Sequence, residues 1–208
     1  DIPGIDGNAQ AFKANGFTAN VEMRQDGATI KAKVTSPLTG SVDAEWIELS
    51  KLAATVKVSD PKLLKNPIDA TISGSALVDF AKHNASLTFA AKIDDSNISG
   101  KAGLAKFTPP FYTFDVNIDQ LDADRYLPKP DTKQPGQPFD LSVLKGLNAN
   151  GSLKIGTLKV ANVKASSVRV DVKAANGRVD VSPIAANLYQ GSLNGALKGE
   201  KTRAAGKT

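Results

Sequence analysis

The chain of 208 residues contains no cysteine and a single histidine, His83. The lack of cysteine excludes disulfides, thiol nucleophiles and thiolate metal ligands, and one histidine is too few for a histidine-based zinc site. His83 lies in the stretch AKHNAS, away from any glycine-flanked serine of a hydrolase elbow, so we interpret it as a turn residue. The sequence therefore predicts no catalytic residue, no cofactor and no metal, and we expect a protein that is not an enzyme.

Calcium and nucleotide motifs are also missing. The acidic pairs Asp94-Asp95 and Asp122 with Asp124 lack the regular oxygen spacing, the central glycine and the closing glutamate of a calcium loop. No glycine-rich phosphate loop precedes a predicted helix. We interpret the acidic pairs as turn and strand-end residues.

Long apolar runs are absent, since none approaches the roughly 18 residues that span a bilayer, and no signal peptide opens the chain. The start DIPGID has no initiator methionine and the end is polar and unpatterned, so we expect a segment of a longer protein. The net charge is +5. Lysines such as Lys154, Lys159, Lys164 and Lys173 flank apolar positions rather than cluster, which favours a solvated sheet face over a nucleic-acid surface.

What the chain has is alternation. Hydrophobic residues make up 41%, mostly Val, Ala, Leu and Ile, with one Trp and three Tyr. From residue 139 to 199, apolar and polar residues alternate almost without a break, which is typical of a sheet with one apolar and one polar face. We predict a mainly β fold: a curved, largely antiparallel sheet forming a groove, half-barrel or sandwich-like structure, with one or two short helices.

Two hairpins are predicted together with their registers, because apolar faces and opposite charges agree on one pairing each. The turn at Asp26-Gly27 sets these pairs: Met23 with Ile30, Val21 with Ala32, Ala19 with Val34, and Glu22 with Lys31. The turn at Asn176-Gly177 sets these: Val172 with Val181, Ala174 with Val179, and Lys173 with Asp180.

Other segments complete the predicted organisation. Further strands are expected at 55–58, 68–75, 86–93, 97–104 and 111–118, whereas 77–83 fits either a strand or a helix. A bulge at Gly156-Thr157 would keep four apolar residues on one side: Leu153, Ile155, Leu158 and Val160. Asp140 is expected to cap a short helix carrying Leu141, Leu144 and Leu147.

The predicted segments are four in number. Residues 1–127 form a β-sheet segment, 128–138 a proline-rich loop, 139–199 a C-terminal β segment continuous with the first sheet, and 200–208 a polar tail.

Two stretches resemble the AsmA family of bacterial envelope proteins. They are IDQLDADRYLPKP at 118–130 and FDLSVLKGLNANGSLKIGTLKVANVKASSVRVDVKAANGRVDVSPIAANLYQGSLNG at 139–195. The resemblance implies a periplasmic protein of outer-membrane biogenesis, whose full-length parent is anchored in the inner membrane. It also implies a likeness to bridge-like lipid transfer proteins, in which the concave apolar face of a curved β-sheet carries acyl chains.

The residues independently suggest an apolar ligand, because a one-sided sheet with few helices must close on itself, pair with another sheet or hold something apolar. The first hypothesis is that the chain binds or shields phospholipid or other acyl chains in an apolar groove during inner-to-outer membrane lipid transport. The expected lining is Val21, Met23, Ile30, Val34, Leu153, Ile155, Leu158, Val160, Val168, Val170, Val172, Val179 and Val181.

Three alternatives stay open. The second hypothesis is a structural or interaction module that assists outer-membrane protein assembly through exposed strand edges. A closed sandwich or barrel with a dry core would leave no groove at all. An enzyme acting on envelope glycans would require a convergent polar cluster, which the sequence does not show.

Overall fold

The computed structural model describes residues 2–25, 27–60, 64, 66–126, 148–189 and 191–200. These residues form twelve strands and one 3-10 turn at Ala123–Arg125. The strands are β1 (Asp6–Gly7), β2 (Phe12–Gln25), β3 (Ala28–Ser41), β4 (Trp46–Ser59), β5 (Ile68–Asp79), β6 (Asn84–Ile93), β7 (Ser96–Phe107), β8 (Pro110–Asp122), β9 (Ala149–Val160), β10 (Val163–Ala175), β11 (Arg178–Leu188) and β12 (Gly191–Glu200).

All twelve strands belong to one sheet, and their spatial order is their order in the sequence. Each neighbouring pair is antiparallel except β8 and β9, which run parallel. The sheet is curved and does not close, which confirms the predicted mainly β, largely antiparallel fold. The β8–β9 pairing places both halves of the chain in the same sheet.

Both predicted hairpin registers are confirmed. In the first, all the predicted pairs occur, and Lys31 Nζ lies 3.8 Å from a carboxylate oxygen of Glu22. In the second, the predicted pairs also occur, and Asn176 and Gly177 both have the positive φ angles of a type I′ turn, 55° and 77°. Asp26 lies outside the described residues, whereas its neighbour Gly27 has a φ of 95°.

The remaining predicted strands are present and extend beyond their predicted limits. The segment 77–83, which fitted either a strand or a helix, is divided between β5 and a turn. Leu77 lies in β5, and the turn that follows contains His83 with a φ of 54°. His83 is thus a turn residue, as predicted, and its ring lies 6.0 Å from that of Phe107.

The prediction of a bulge at Gly156-Thr157 is wrong, because β9 has no extra residue there relative to its neighbours. Ile155 pairs with Ile118 and Val168, and Thr157 pairs with Gln120 and Ser166, so β9 keeps register with both neighbours. In β8, β9 and β10 the apolar residues switch between odd-numbered and even-numbered positions at the same level of the sheet. Ser167 has a φ of 52° at this level. The expected consequence still holds for three residues, which pack into one cluster: Leu153, Ile155 and Leu158.

Several predictions fall outside the described residues. They are the proline-rich loop at 128–138, the helix after Asp140 with Leu141, Leu144 and Leu147, and residues 201–208 of the predicted tail. Residue 200, by contrast, ends β12.

Candidate functional site

The pairing registers place the apolar residues on one face of the sheet, because directly opposed residues point to the same side. One row of such residues crosses every strand from β2 to β12. It consists of Ala14, Leu38, Leu49, Ala76, Leu87, Ala102, Phe114, Gly151, Val172, Val181 and Leu197. The apolar face is therefore continuous across the sheet.

A second row runs beside the first and joins the two groups of predicted lining residues. It consists of Ala19, Val34, Ala54, Ile72, Ala91, Ile98, Ile118, Ile155 and Val168. Val34 from the N-terminal group and Ile155 from the C-terminal group thus lie on the same face, connected through β4 to β8.

Sequence reasoning missed the residues of β4 to β8 that join these groups. Ile72, Ile98 and Ile118 alternate with polar residues, and this alternation was a usable signal for their face. In β4, a bulge between Leu49 and Leu52 shifts the parity, so that the alternation is broken along the sequence but not along the sheet.

The predicted lining residues differ in exposure between the two ends of the face. At the β2–β3 end, Val21 and Met23 are 46% and 56% exposed, and Ile30 and Val34 are half-buried. At the β9–β11 end, Val179 and Ile155 are 2% and 6% exposed. The others at this end divide as follows: Val168 and Val181 are buried, Leu153, Leu158, Val170 and Val172 are half-buried, and Val160 is exposed.

Two clusters account for the burial at the β9–β11 end. Val179 and Val181 pack with Ala149 and Ala174 in one cluster. Ile155 and Val168 pack with Ala186 in the other. Val170 packs against both, so this end of the face is one connected core.

Aromatic rings cover glycines on the same face. Phe12 lies opposite Gly40 and Phe114 opposite Gly151, and a Cβ atom built on either glycine would overlap the ring. Each ring therefore occupies the space that a side chain on the neighbouring strand would fill.

The opposite face is polar and carries charges of both signs. One of its rows is Glu22, Lys31, Lys57 and Asp69, and another is Lys101, Asp115, Ser152 and Asp171. Lys57 Nζ lies 3.4 Å from Asp69, and Ser152 Oγ donates a hydrogen bond of 3.0 Å to Asp115. The pairs Glu22–Lys31 and Lys57–Asp69 each join opposite charges across neighbouring strands, whereas Lys31 and Lys57 between them are like charges.

A recess of about 730 Å³ lies along the sheet between β2 and β6, and residues of both faces line it. Lysines and acidic residues line it together: Lys31, Lys33, Lys57 and Lys92 with Glu22, Asp69 and Asp94. A row of the apolar face also lines it: Val21, Ala32, Val56 and Ala70. Because both signs of charge are present, the lining does not select an anion such as phosphate.

A polar corner holds the end of β8 in place. Arg125 Nη1 donates a 2.9 Å hydrogen bond to Asp95, and Tyr126 Oη donates one of 2.7 Å to Asp94 in the β6–β7 turn. The Asp124 carboxylate accepts from the backbone N–H groups of the β9–β10 turn, including that of Asn162 at 3.0 Å. Asp124, Arg125 and Tyr126 belong to the first stretch that carries the family resemblance, and here they join two turns.

These contacts shift the ionisation of the corner. Hydrogen bonds from the backbone N–H groups of Asn162 and Ala161 lower the pKa of Asp124. Burial, together with the hydrogen bond to Asp94, raises the pKa of Tyr126 to about 12. The folded corner therefore favours a charged Asp124 and a neutral Tyr126.

In the described part of the chain, no group of three or more histidine, cysteine or acidic side chains is placed to hold a metal ion. No helix in the same residues has the length and hydrophobicity of a membrane-spanning segment. Comparison with protein-family models, curated proteins and solved structures finds no significant match to the chain.

Proposed function

We propose that this chain binds phospholipid acyl chains along its apolar sheet face, as a non-enzymatic segment of a periplasmic protein in inner-to-outer membrane lipid transport. One observation carries the proposal: apolar rows cross the open sheet, and Val21 and Met23, which lie on the same face beside them, are about half exposed. Contiguous exposed apolar surface of this kind marks a binding site for an apolar partner. The resemblance to the AsmA family supports the periplasmic setting.

The dimensions of the face suit an acyl chain. Strands lie about 4.8 Å apart, so the row from β2 to β12 is about 48 Å long. An acyl chain occupies half of a hydrocarbon core about 30 Å thick, so that several fit along one row. Each buried CH₂ group contributes about 0.8 kcal/mol, which allows binding without recognition of a particular head group.

Native mass spectrometry with lipid extraction tests this function. Purified protein is expected to carry phospholipid, and the Val21→Asp variant is expected to carry less, because a carboxylate on the apolar face is costly to bury beside an acyl chain. Asn20→Asp is the matched control, because this substitution adds the same charge one residue away, on the polar face. A wild-type mass without lipid, unchanged after incubation with phospholipid vesicles, would contradict the proposal.

The edge of the sheet supports a second candidate, a module that assists outer-membrane protein assembly. No described strand pairs with the outer side of β12, whose Leu193 and Leu197 are exposed. An unpaired edge can accept an extended client strand. Under this function, an unfolded outer-membrane barrel protein should bind the wild-type chain and not the Gly195→Lys variant, with Gly195→Ala as control; equal binding by all three would exclude it.

A further inference from the structure

The two outermost strands among the described residues are protected unequally. At one edge, β1 pairs with the start of β2, and β2 also carries a bulge between Ala14 and Phe17 and the charged residues Lys13, Glu22 and Arg24. Short strands, bulges and charges are common means of blocking edge-to-edge association. β12 has the sequence GSLNGALKGE, without proline, and its charged residues are confined to the last three positions.

The apolar positions of β12 read the same in both directions. Residues 191, 193, 195, 197 and 199 are Gly, Leu, Gly, Leu and Gly, so the pattern is symmetric about Gly195. Their pairing with β11 places them on the apolar face: Leu193 opposes Ala186 and Leu197 opposes Val181. Leu193 and Leu197 are 50% and 48% exposed.

We propose that β12 pairs antiparallel with β12 of a second copy, about a two-fold axis that passes beside Gly195 perpendicular to the sheet. A two-fold axis in this direction reverses the strand and keeps both apolar faces on the same side, which is the isologous contact of a symmetric dimer. Leu193 then opposes the partner's Leu197, and Leu197 opposes the partner's Leu193. Both exposed leucines gain an apolar neighbour directly across the interface.

The polar side of the strand is compatible with this register. Ser192 opposes the partner's Lys198, and Asn194 opposes the partner's Ala196, so that no like charges face each other. A slip of one residue would turn the leucines away from the apolar face, and a slip of two would set each leucine opposite a glycine. The leucine spacing therefore selects one register.

The dimer extends the apolar face. The row from Ala14 to Leu197 reaches the edge at β12, and the second copy continues it on the other side. The pairing itself depends on backbone groups and leucines and requires no lipid. Dimerisation is therefore independent of the proposed lipid binding.

Charge exchange at Gly195 tests the pairing. A Cβ atom at Gly195 meets nothing within 4 Å, so substitutions are expected to leave the protomer folded. Light scattering coupled to gel filtration on delipidated full-length chain should show a dimer for the wild type and for Gly195→Ala. Gly195→Glu and Gly195→Lys should each be monomeric, because two like charges meet at the axis.

Mixing the two charged variants provides the decisive observation. An equimolar mixture of Gly195→Glu and Gly195→Lys should form a heterodimer, because opposite charges now meet at the axis. A monomeric wild type, a dimer that survives Gly195→Glu, or a mixture that stays monomeric would overturn the proposal. Lipid occupancy is measured separately on the wild type, so failure of lipid binding and failure of dimerisation are distinguishable.

Discussion

The β2–β3 and β9–β11 ends of the apolar face share the same alternation of residues but differ in exposure. Val21 and Met23 at the first end are about half exposed, whereas Val179 and Ile155 at the second are almost fully buried. Strand pairing puts all four on one face, so the side on which a residue lies does not by itself determine its access to solvent.

The difference separates two uses of the same pattern. The β9–β11 end forms connected clusters around Val179 and Ile155, which stabilise the sheet as a core does. The β2–β3 end leaves apolar side chains available to a ligand. We therefore expect lipid contacts to involve Val21 and Met23 more than Val179, and the following predictions test that division in order of decreasing effect.

Aspartate substitutions at the two ends should destabilise the fold to very different extents. Val179→Asp buries a carboxylate in a cluster and should lower the free energy of unfolding by about 3 kcal/mol or more. Met23→Asp, at an exposed site, should change it by about 0.5 kcal/mol or less. Urea denaturation followed by circular dichroism measures both, and equal destabilisation would show that the two ends form one dry core.

Glycine-to-alanine substitutions in β9 and β2 should also differ in their cost to stability, by a smaller amount. Gly151→Ala forces a methyl group into the Phe114 ring and should cost about 1–3 kcal/mol. Gly16→Ala in β2 meets only Pro3, at an ordinary contact distance of 3.7 Å, and should be nearly neutral. Thermal unfolding of the two variants provides the comparison, and a neutral Gly151→Ala would mean that both the ring and the backbone carbonyl of Phe114 can shift to make room.

The smallest expected effect concerns the polar corner beside the β9–β11 end. The pKa of Asp124 is lowered in the fold, so its contribution to stability is present above the ordinary aspartate value of 3.8 and is lost as the pH falls through the lower folded value. Asp124→Asn should therefore be slightly less stable than wild type at neutral pH, and the difference should shrink in acid. Melting temperatures across this range measure it, with Asp43→Asn, in an exposed turn, as control; a difference that does not change with pH would assign the loss to packing.

Local patterns predicted the hairpins well. At Glu22 and Lys31, the turn, the apolar face and the charge pair all select one register, and the same holds at Lys173 and Asp180. The sequence was insufficient where the alternation of a strand depends on its neighbours in the sheet. The shift at Gly156 was expected as a bulge in β9 alone, but three strands share it, and no single strand contains that information.

The sequence by itself determined the mainly β fold, the alternation of faces and both hairpin registers, because each depends on residues close together in the chain. Only the tertiary structure decided that the two groups of predicted lining residues share one face, since this depends on every intervening pairing from β4 to β8. It also decided which of them are exposed. Alternation fixes the direction of a side chain such as Met23 or Val179, whereas its burial depends on what the rest of the chain places over it.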